Sequence, residues 1–215
     1  MSDNEEYVDG NMRITRLGNL GPYSNNAYVI SDAATGDALI VDMPSGSTAT
    51  VEVVSGLNVK GILLTHTHPD HWAEYDLVKS ATGAPVYCHP AERIMPADKI
   101  DRRLADGDEI VVASVHVQAV HTPGHTPGST CYTTGRFVFS GDTLFPGGPG
   151  RTQTPEDLRQ TIVSITSRLH SLPDDTLVLT GHGDNTTIGE SKREYALFEA
   201  RDKPADLCGD VTWAG

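Results

Sequence analysis

The segment Thr65-His66-Thr67-His68-Pro69-Asp70-His71 constrains this chain more than any other stretch of it. It follows Ile62-Leu63-Leu64, a short apolar run that reads as a buried strand. At the end of such a strand His66 and His68, two residues apart, point to the same side. Pro69 suits the first position of a helix, and the turn it opens brings Asp70 and His71 back toward the same space. Four nitrogen and oxygen donors therefore converge. Neutral imidazole and carboxylate suit zinc, manganese or ferrous iron, whereas an all-oxygen calcium site would not use three imidazoles.

Three later segments can complete such a site. His125 lies in His121-Thr122-Pro123-Gly124-His125-Thr126-Pro127-Gly128-Ser129, a run of turn residues after a β-rich stretch. Asp142 follows Phe137-Val138-Phe139-Ser140-Gly141, and His182 sits in Gly181-His182-Gly183 directly after Thr176-Leu177-Val178-Leu179-Thr180. Every candidate ligand thus falls where a strand gives way to a loop, the place where a rigid scaffold presents functional side chains. A structural site is closed by four ligands, so a gathering of seven donors argues for a reactive centre over a non-catalytic metal-binding protein.

Around these motifs, β-rich runs recur at 27–30, 38–41, 61–65, 85–88, 110–113, 115–120, 130–133, 137–140 and 176–180. Helices are expected near 48–55, 70–81, 155–171 and 190–200. Thr154-Pro155-Glu156 reads as cap, first-turn proline and acid, and Leu158, Ile162, Ile165 and Leu169 form an apolar stripe that faces a core. Early strands pair as hairpins and the helices are interspersed, which predicts an α+β protein of sheets with helices outside them. Length sets the expectation of one domain over 1–215, with 1–10 frayed and 202–215 a C-terminal tail. The tail, with Cys208 and Trp213, shows no core role of its own and is expected to dock on a neighbouring subunit of a homodimer.

Charge narrows the partners. Lys and Arg number 16 against 29 Asp and Glu, a net charge of -13, and so acidic a surface does not attract phosphate backbones or anionic lipid. No apolar run approaches the roughly 20 residues needed to cross a bilayer. The expected partner is a small molecule, with neither nucleic acid nor membrane. The acidic start Met1-Ser2-Asp3-Asn4-Glu5-Glu6 is unlike a secretory signal, and Cys88, Cys131 and Cys208 are odd in number and far apart, so a cytoplasmic protein with reduced thiols is expected.

These motif positions resemble those of the metallo-β-lactamase-fold hydrolase superfamily, in particular its glyoxalase-II-like branch, over residues 12–197. The resemblance implies an αβ/βα four-layer sandwich of two mixed β-sheets with helices on the outer faces and the site along one edge. It implies that His66, His68 and His125 hold one metal ion, that Asp70, His71 and His182 hold a second, and that Asp142 bridges them. Two zinc ions are implied, with iron or manganese as substitutes. True zinc β-lactamases resemble the pattern but usually carry cysteine or serine where Asp142 stands. Flavin-linked di-iron relatives generally carry glutamate at the position of His68.

The implied activity is hydrolysis of a small thioester or ester, lactones included. A hydroxide bridging two ions is available at neutral pH because a bound metal lowers the pKa of water to about 7. Asp70 is assigned a second, catalytic role as proton acceptor. Little chain follows His182 for the helical region that holds glutathione in full-length glyoxalase II, so substrate selection is expected from loops. Candidates for substrate contact are Trp72, Tyr23 in the glycine-flanked loop 18–26, and Arg151. His121 is read as supporting the site from outside the ligand set, and His89, His116 and His170 as structural. The alternative implied by the resemblance is a mononuclear iron persulfide dioxygenase using His66, His125 and Asp142.

Overall fold

In strand β3 (Asn25–Asp32), Tyr28 and Ile30 enter one core while Ala27 and Val29 enter another, and β4 (Asp37–Val41) divides Leu39 and Val41 from Ala38 and Ile40 in the same way. Successive strand residues face opposite sides, so a sheet apolar on both faces must be covered twice. The second sheet repeats the division: Phe137 and Phe139 of β11 (Phe137–Gly141) face inward and Val138 faces outward. Four layers follow from this pattern. The computed structural model describes residues 3–213.

The first sheet has the order β1 (Asp3–Asp9), β2 (Met12–Leu20), β3, β4, β5 (Asn58–Leu63), β6 (Val86–Cys88), β7 (Arg102–Arg103). It is antiparallel as far as β4 and parallel from β4 onward. The second runs β15 (Thr186–Thr187), β14 (Leu177–Thr180), β11, β10 (Thr130–Thr134), β9 (Val115–His121), β8 (Glu109–Val112), with β11 and β14 parallel. A ribbon of β12 (Leu144–Phe145) and β13 (Gly148–Pro149) occupies the glycine-rich segment. Helices α1 (Thr48–Val53) and α2 (Tyr75–Thr82) cover the first sheet; α3 (Pro155–Ser164) and α4 (Ile188–Glu199) cover the second. The expected α+β sandwich of two mixed sheets is the observed one. Among the described residues no helix is long and apolar enough to cross a membrane.

Residues 3–9 are not frayed. They form an edge strand paired with β2 along its length, held by the Arg16–Glu5 ion pair and by Tyr7, whose ring lies 5.7 Å from that of Phe137. The side chains of Glu5, Glu6 and Asp9 are exposed, so backbone pairing makes the strand while composition hides it; charged side chains are also what protects an edge from further pairing.

The helix expected at 70–81 is divided. A 3-10 turn spans Pro69–His71, and α2 begins only at Tyr75. Met43 intervenes, its N–H donating to the His71 carbonyl (2.7 Å) and its carbonyl accepting from Glu74 N–H (3.0 Å), which turns His71 inward. The helix expected at 155–171 opens with the Thr154–Asp157 capping box and widens into π-helical geometry at Ile165–Leu169, with Leu158, Ile165 and Leu169 in the core as the stripe requires.

The tail packs on its own chain. Trp213 is fully buried, its ring among those of Tyr195, Phe198 and His170, and its backbone N–H donates to the Gly147 carbonyl. Its partners lie in α4, at the end of the π-helical segment and in the β12–β13 ribbon, brought together only by folding, which is why the tail looks unemployed when read alone.

Candidate metal centre

Parallel and antiparallel strands of both sheets end at one edge, and the chemistry collects there. His66 and His68 follow β5, His71 and Asp70 lie in the 3-10 turn beyond them, His125 sits in the β9–β10 loop, and Asp142 and His182 leave β11 and β14. All seven expected ligands come together. His66 Nε2 lies 3.0 Å from His68 Nδ1, and His125 Nε2 lies 2.9 Å from the same atom. On the other side His71 Nε2 is 3.1 Å from His182 Nε2, and Asp70 Oδ2 is 3.5 Å and 3.4 Å from these two nitrogens. Asp142 stands between the sets: Oδ1 is 3.3 Å from His71, and Oδ2 is 3.6 Å from His125 and 3.4 Å from His182.

The outer ring nitrogens determine what the inner ones present. His71 Nδ1 donates to the Asp42 carboxylate (2.8 Å), His125 Nδ1 to the Arg151 carbonyl (2.7 Å) and His182 Nδ1 to the Tyr23 carbonyl (2.8 Å). Each acceptor fixes the proton on Nδ1 and leaves the Nε2 lone pair facing inward. Lone pairs about 3 Å apart beside two carboxylates repel unless a cation lies among them. A four-coordinate ion with bonds of about 2.0–2.1 Å spaces its ligand atoms by about 3.3 Å, close to the separations found here. Asp142 Oδ1 is buried without a hydrogen-bond partner, as expected of an oxygen committed to a metal. The residues fit divalent metal.

Electrostatics agree. Burial holds His66 well below the usual imidazole range, with the other imidazoles adding to the effect, and His68 is lowered for the same reasons. Burial opposes the charged form of His71, yet Asp142 and Asp42 raise it well above the usual range. Burial likewise opposes ionisation of Asp142, but His71 and His182 hold it well below the carboxylate range. Protons thus collect where positive charge is wanted, and metal binding would displace them.

Close approach makes the cluster possible. A Cβ on Gly181 would lie 2.3 Å from Asp142 Oδ1 and 2.9 Å from His71 Cε1, so only glycine lets β14 deliver His182 beside Asp142.

The substrate candidates separate. Tyr23 is 67% exposed and lines a cleft of about 280 Å³ with Pro69, Asp70 and His182. Trp72 does not narrow that cleft: its ring packs on the outer core of the first sheet and Nε1 donates to the Thr67 carbonyl (3.0 Å). The Arg151 guanidinium turns to Asp210 (2.9 Å), so this residue serves the site through its carbonyl. His121 bonds the Pro127 carbonyl and stacks on His89, His116 pairs with Glu109, and His170 bonds Ser191. Burial pushes the thiols of Cys88 and Cys131 up to about 12 and about 11, far from nucleophilic use. A larger cleft of about 370 Å³ between α3, α4 and the tail holds no metal-donor set among the described residues, so chemistry favours the smaller one.

Three supporting residues escape a reading by motif. Asp42 also accepts from Thr65 N–H and Thr65 Oγ1, Asn25 Nδ2 donates to Asp70 Oδ2 (2.9 Å), and buried Glu92 bonds Thr67 and Thr126. Asp42 could have been found, since it follows the apolar run Ala38-Leu39-Ile40-Val41 just as Asp142 follows its own strand. Asn25 and Glu92 carry no such signal.

Comparison with known proteins agrees with this fold. The profile of the metallo-beta-lactamase superfamily matches residues 20–182, and the chain belongs to that superfamily. It is 36% identical over 193 residues to the probable metallo-hydrolase YqgX of Bacillus subtilis (strain 168), covering 79% of this chain and 90% of that one. It is 35% identical over 176 residues to a hydroxyacylglutathione hydrolase of Polaromonas sp. (strain JS666 / ATCC BAA-500), covering 80% of this chain and 66% of that relative. Among solved structures it is similar to BLEG-1 B3 metallo-beta-lactamase, with TM-score 0.74 and 31% identity over 84% of this chain and 96% of that one. It is also similar to TTHA1623 in a di-iron-bound form, with TM-score 0.68 and 30% identity over 83% and 96%.

Proposed function

We propose that this protein is a dinuclear metal-dependent hydrolase, carrying zinc in both sites, that cleaves a small thioester or ester, lactones included. The observation that carries the reading is that Asp142 stands between two donor sets, 3.6 Å from His125 and 3.4 Å from His182, with a buried Oδ1 that has no hydrogen-bond partner. When bound, two such ions supply water acidified to a pKa of about 7 and polarise a carbonyl oxygen. His66, His68 and His125 would hold the first ion, and Asp70, His71 and His182 the second. Asn25 engages Asp70 Oδ2, which leaves Oδ1 to accept a proton from the attacking water. Tyr23 and Pro69 wall the cleft beside these groups and orient a small substrate against them. Similarity to a hydroxyacylglutathione hydrolase supports thioester chemistry, and the di-iron relative makes iron the first substitute for zinc.

Metal analysis of protein purified without added metal, followed by a panel of acyl thioesters, esters, lactones and β-lactams, tests the proposal. The expected result is two zinc ions per chain, with thioester or ester turnover that disappears in His66→Ala. No turnover on any thioester, ester or lactone, or equal turnover in His66→Ala, would sink it. One iron per chain with oxygen uptake on glutathione persulfide would replace it with a dioxygenase.

A further inference from the structure

Glu92 lies outside every motif, yet its carboxylate is where the two metal-bearing loops meet. It is 5% exposed and stands in the turn after β6, its own N–H bonded to the His89 carbonyl. That turn is fixed in place: His89 Nδ1 accepts from Ala91 N–H, and its ring stacks on His121, at the end of β9, with centroids 3.8 Å apart. Glu92 Oε2 accepts from Thr67 N–H (3.2 Å) and from Thr67 Oγ1. Glu92 Oε1 accepts from Thr126 Oγ1 and from Gly128 N–H (3.2 Å). A Cβ on Gly128 would lie 2.6 Å from Glu92 Cγ, so the contact also needs glycine on the loop it holds.

The partners are placed to matter. Thr67 lies between His66 and His68, and Thr126 follows His125. One carboxylate therefore ties the first sheet's loop to the second sheet's loop at the backbone positions that aim all three imidazoles of the first donor set. The second set is held differently, His71 by Asp42, Asp70 by Asn25 and His182 by the Tyr23 carbonyl.

We infer that Glu92 is the positioning residue of the first metal site, setting the mutual geometry of His66, His68 and His125 through Thr67 and Thr126. The inference rests on the metal reading given above, and its consequence is selective. All four of its partners donate, so an amide in place of the carboxylate sets a donor against a donor. The misfit lands on the first site and spares the second.

The test is zinc titration of metal-free protein against a competing chelator, which resolves the two affinities, with His68→Ala and His182→Ala assigning them to the first and second sites. Loss of a group that orients metal ligands costs about 10- to 100-fold in affinity. Glu92→Gln should lower the first affinity by that much and leave the second unchanged. Glu92→Asp should recover part of the loss. Thr67→Val and Thr126→Val, each removing one hydroxyl, should weaken the same site by less, and they decide the matter on the same criterion if Glu92→Gln does not fold. Equal losses at both sites, or an unchanged first site in folded variants, would overturn the assignment of Glu92 alone. Failure of the wild-type protein to bind two ions would overturn the metal reading itself and this inference with it.

Discussion

Asp42 Oδ2 accepts a hydrogen bond from His71 Nδ1 at 2.8 Å, and both groups are buried. That bond selects the tautomer that turns His71 Nε2 toward Asp142 and His182. Asp42 holds a left-handed backbone conformation (φ 61°), unusual for a residue other than glycine, while its carboxylate also takes both donors of Thr65. In Asp42→Asn, one amide orientation meets Thr65 N–H with a donor; the other meets His71 Nδ1–H and moves the imidazole proton to Nε2. The expected outcome is a loss of about 10- to 100-fold in affinity at the second site, read by chelator competition. Equal affinity in the variant would show that the His71 tautomer does not govern binding.

Gly181→Ala tests the crowding at the bridge. The added methyl would lie 2.3 Å from Asp142 Oδ1, so the carboxylate or β14 must shift. Overpacking of this kind costs about 1–3 kcal/mol, seen as a lower urea midpoint in the metal-free protein. Metal content should fall below two ions per chain, because Asp142 serves both sites. A variant with full metal content would mean that the bridge tolerates displacement.

The sites were legible where chemistry follows local pattern. Each of the seven donors lies in the loop or turn that follows a strand, and strand ends can be read from apolar runs, so the order of strands along the chain already places His66, Asp142 and His182 at an edge. The residues that aim the donors were not legible. Glu92 and Asn25 act on partners brought near only by tertiary folding, and the carbonyls of Tyr23 and Arg151 leave no trace in side-chain identity. Trp72 follows the motif closely enough to suggest a pocket wall, yet the break imposed by Met43 turns its ring to the outer core. The edge strand at 3–9 was missed because its stability comes from backbone pairing with β2 and from the Arg16–Glu5 ion pair, neither of which its acidic composition announces.

Acid should destabilise the fold through histidines outside the metal centre. Burial lowers His170 to about 4, with Lys192 adding to the effect, and lowers His89 to about 4, with His121 adding to it. Their unfolded value is about 6.5. A folded pKa below the unfolded one means that the unfolded chain binds more protons, so the contribution is fully present above about pH 6.5 and is lost as pH falls toward about 4. Halving the linkage value for the solvent access these rings retain leaves about 1 kcal/mol each at pH 5. Urea unfolding of metal-free protein at pH 7.5, 6.0, 5.0 and 4.0 should show this decline, and His170→Gln should make it shallower. A stability difference between wild type and His170→Gln that is constant across this range would contradict it.

The tail supports the donor set of His66, His68 and His125 from the far side of the β12–β13 ribbon. The Trp213 backbone N–H bonds the Gly147 carbonyl and its ring lies against Gly148, Gly209 pairs with Thr152, and Asp210 holds the Arg151 guanidinium. Arg151 lies between these anchors, and its carbonyl takes the Nδ1 proton of His125. Removing the Trp213 ring from a fully buried position costs about 3–5 kcal/mol, so Trp213→Ala should show a large drop in unfolding midpoint. The ribbon then loses its backing, and the bond that orients His125 loosens with it. Zinc affinity at the first site should fall while the second keeps its own supports in Asp42, Asn25 and the Tyr23 carbonyl. Arg151→Ala, which removes the ion pair and keeps the carbonyl, should cost no more than about 1 kcal/mol, as exposed pairs do, and leave zinc binding intact. Chelator competition on both variants separates the two roles: loss of first-site affinity in Arg151→Ala would mean that the side chain serves the centre directly.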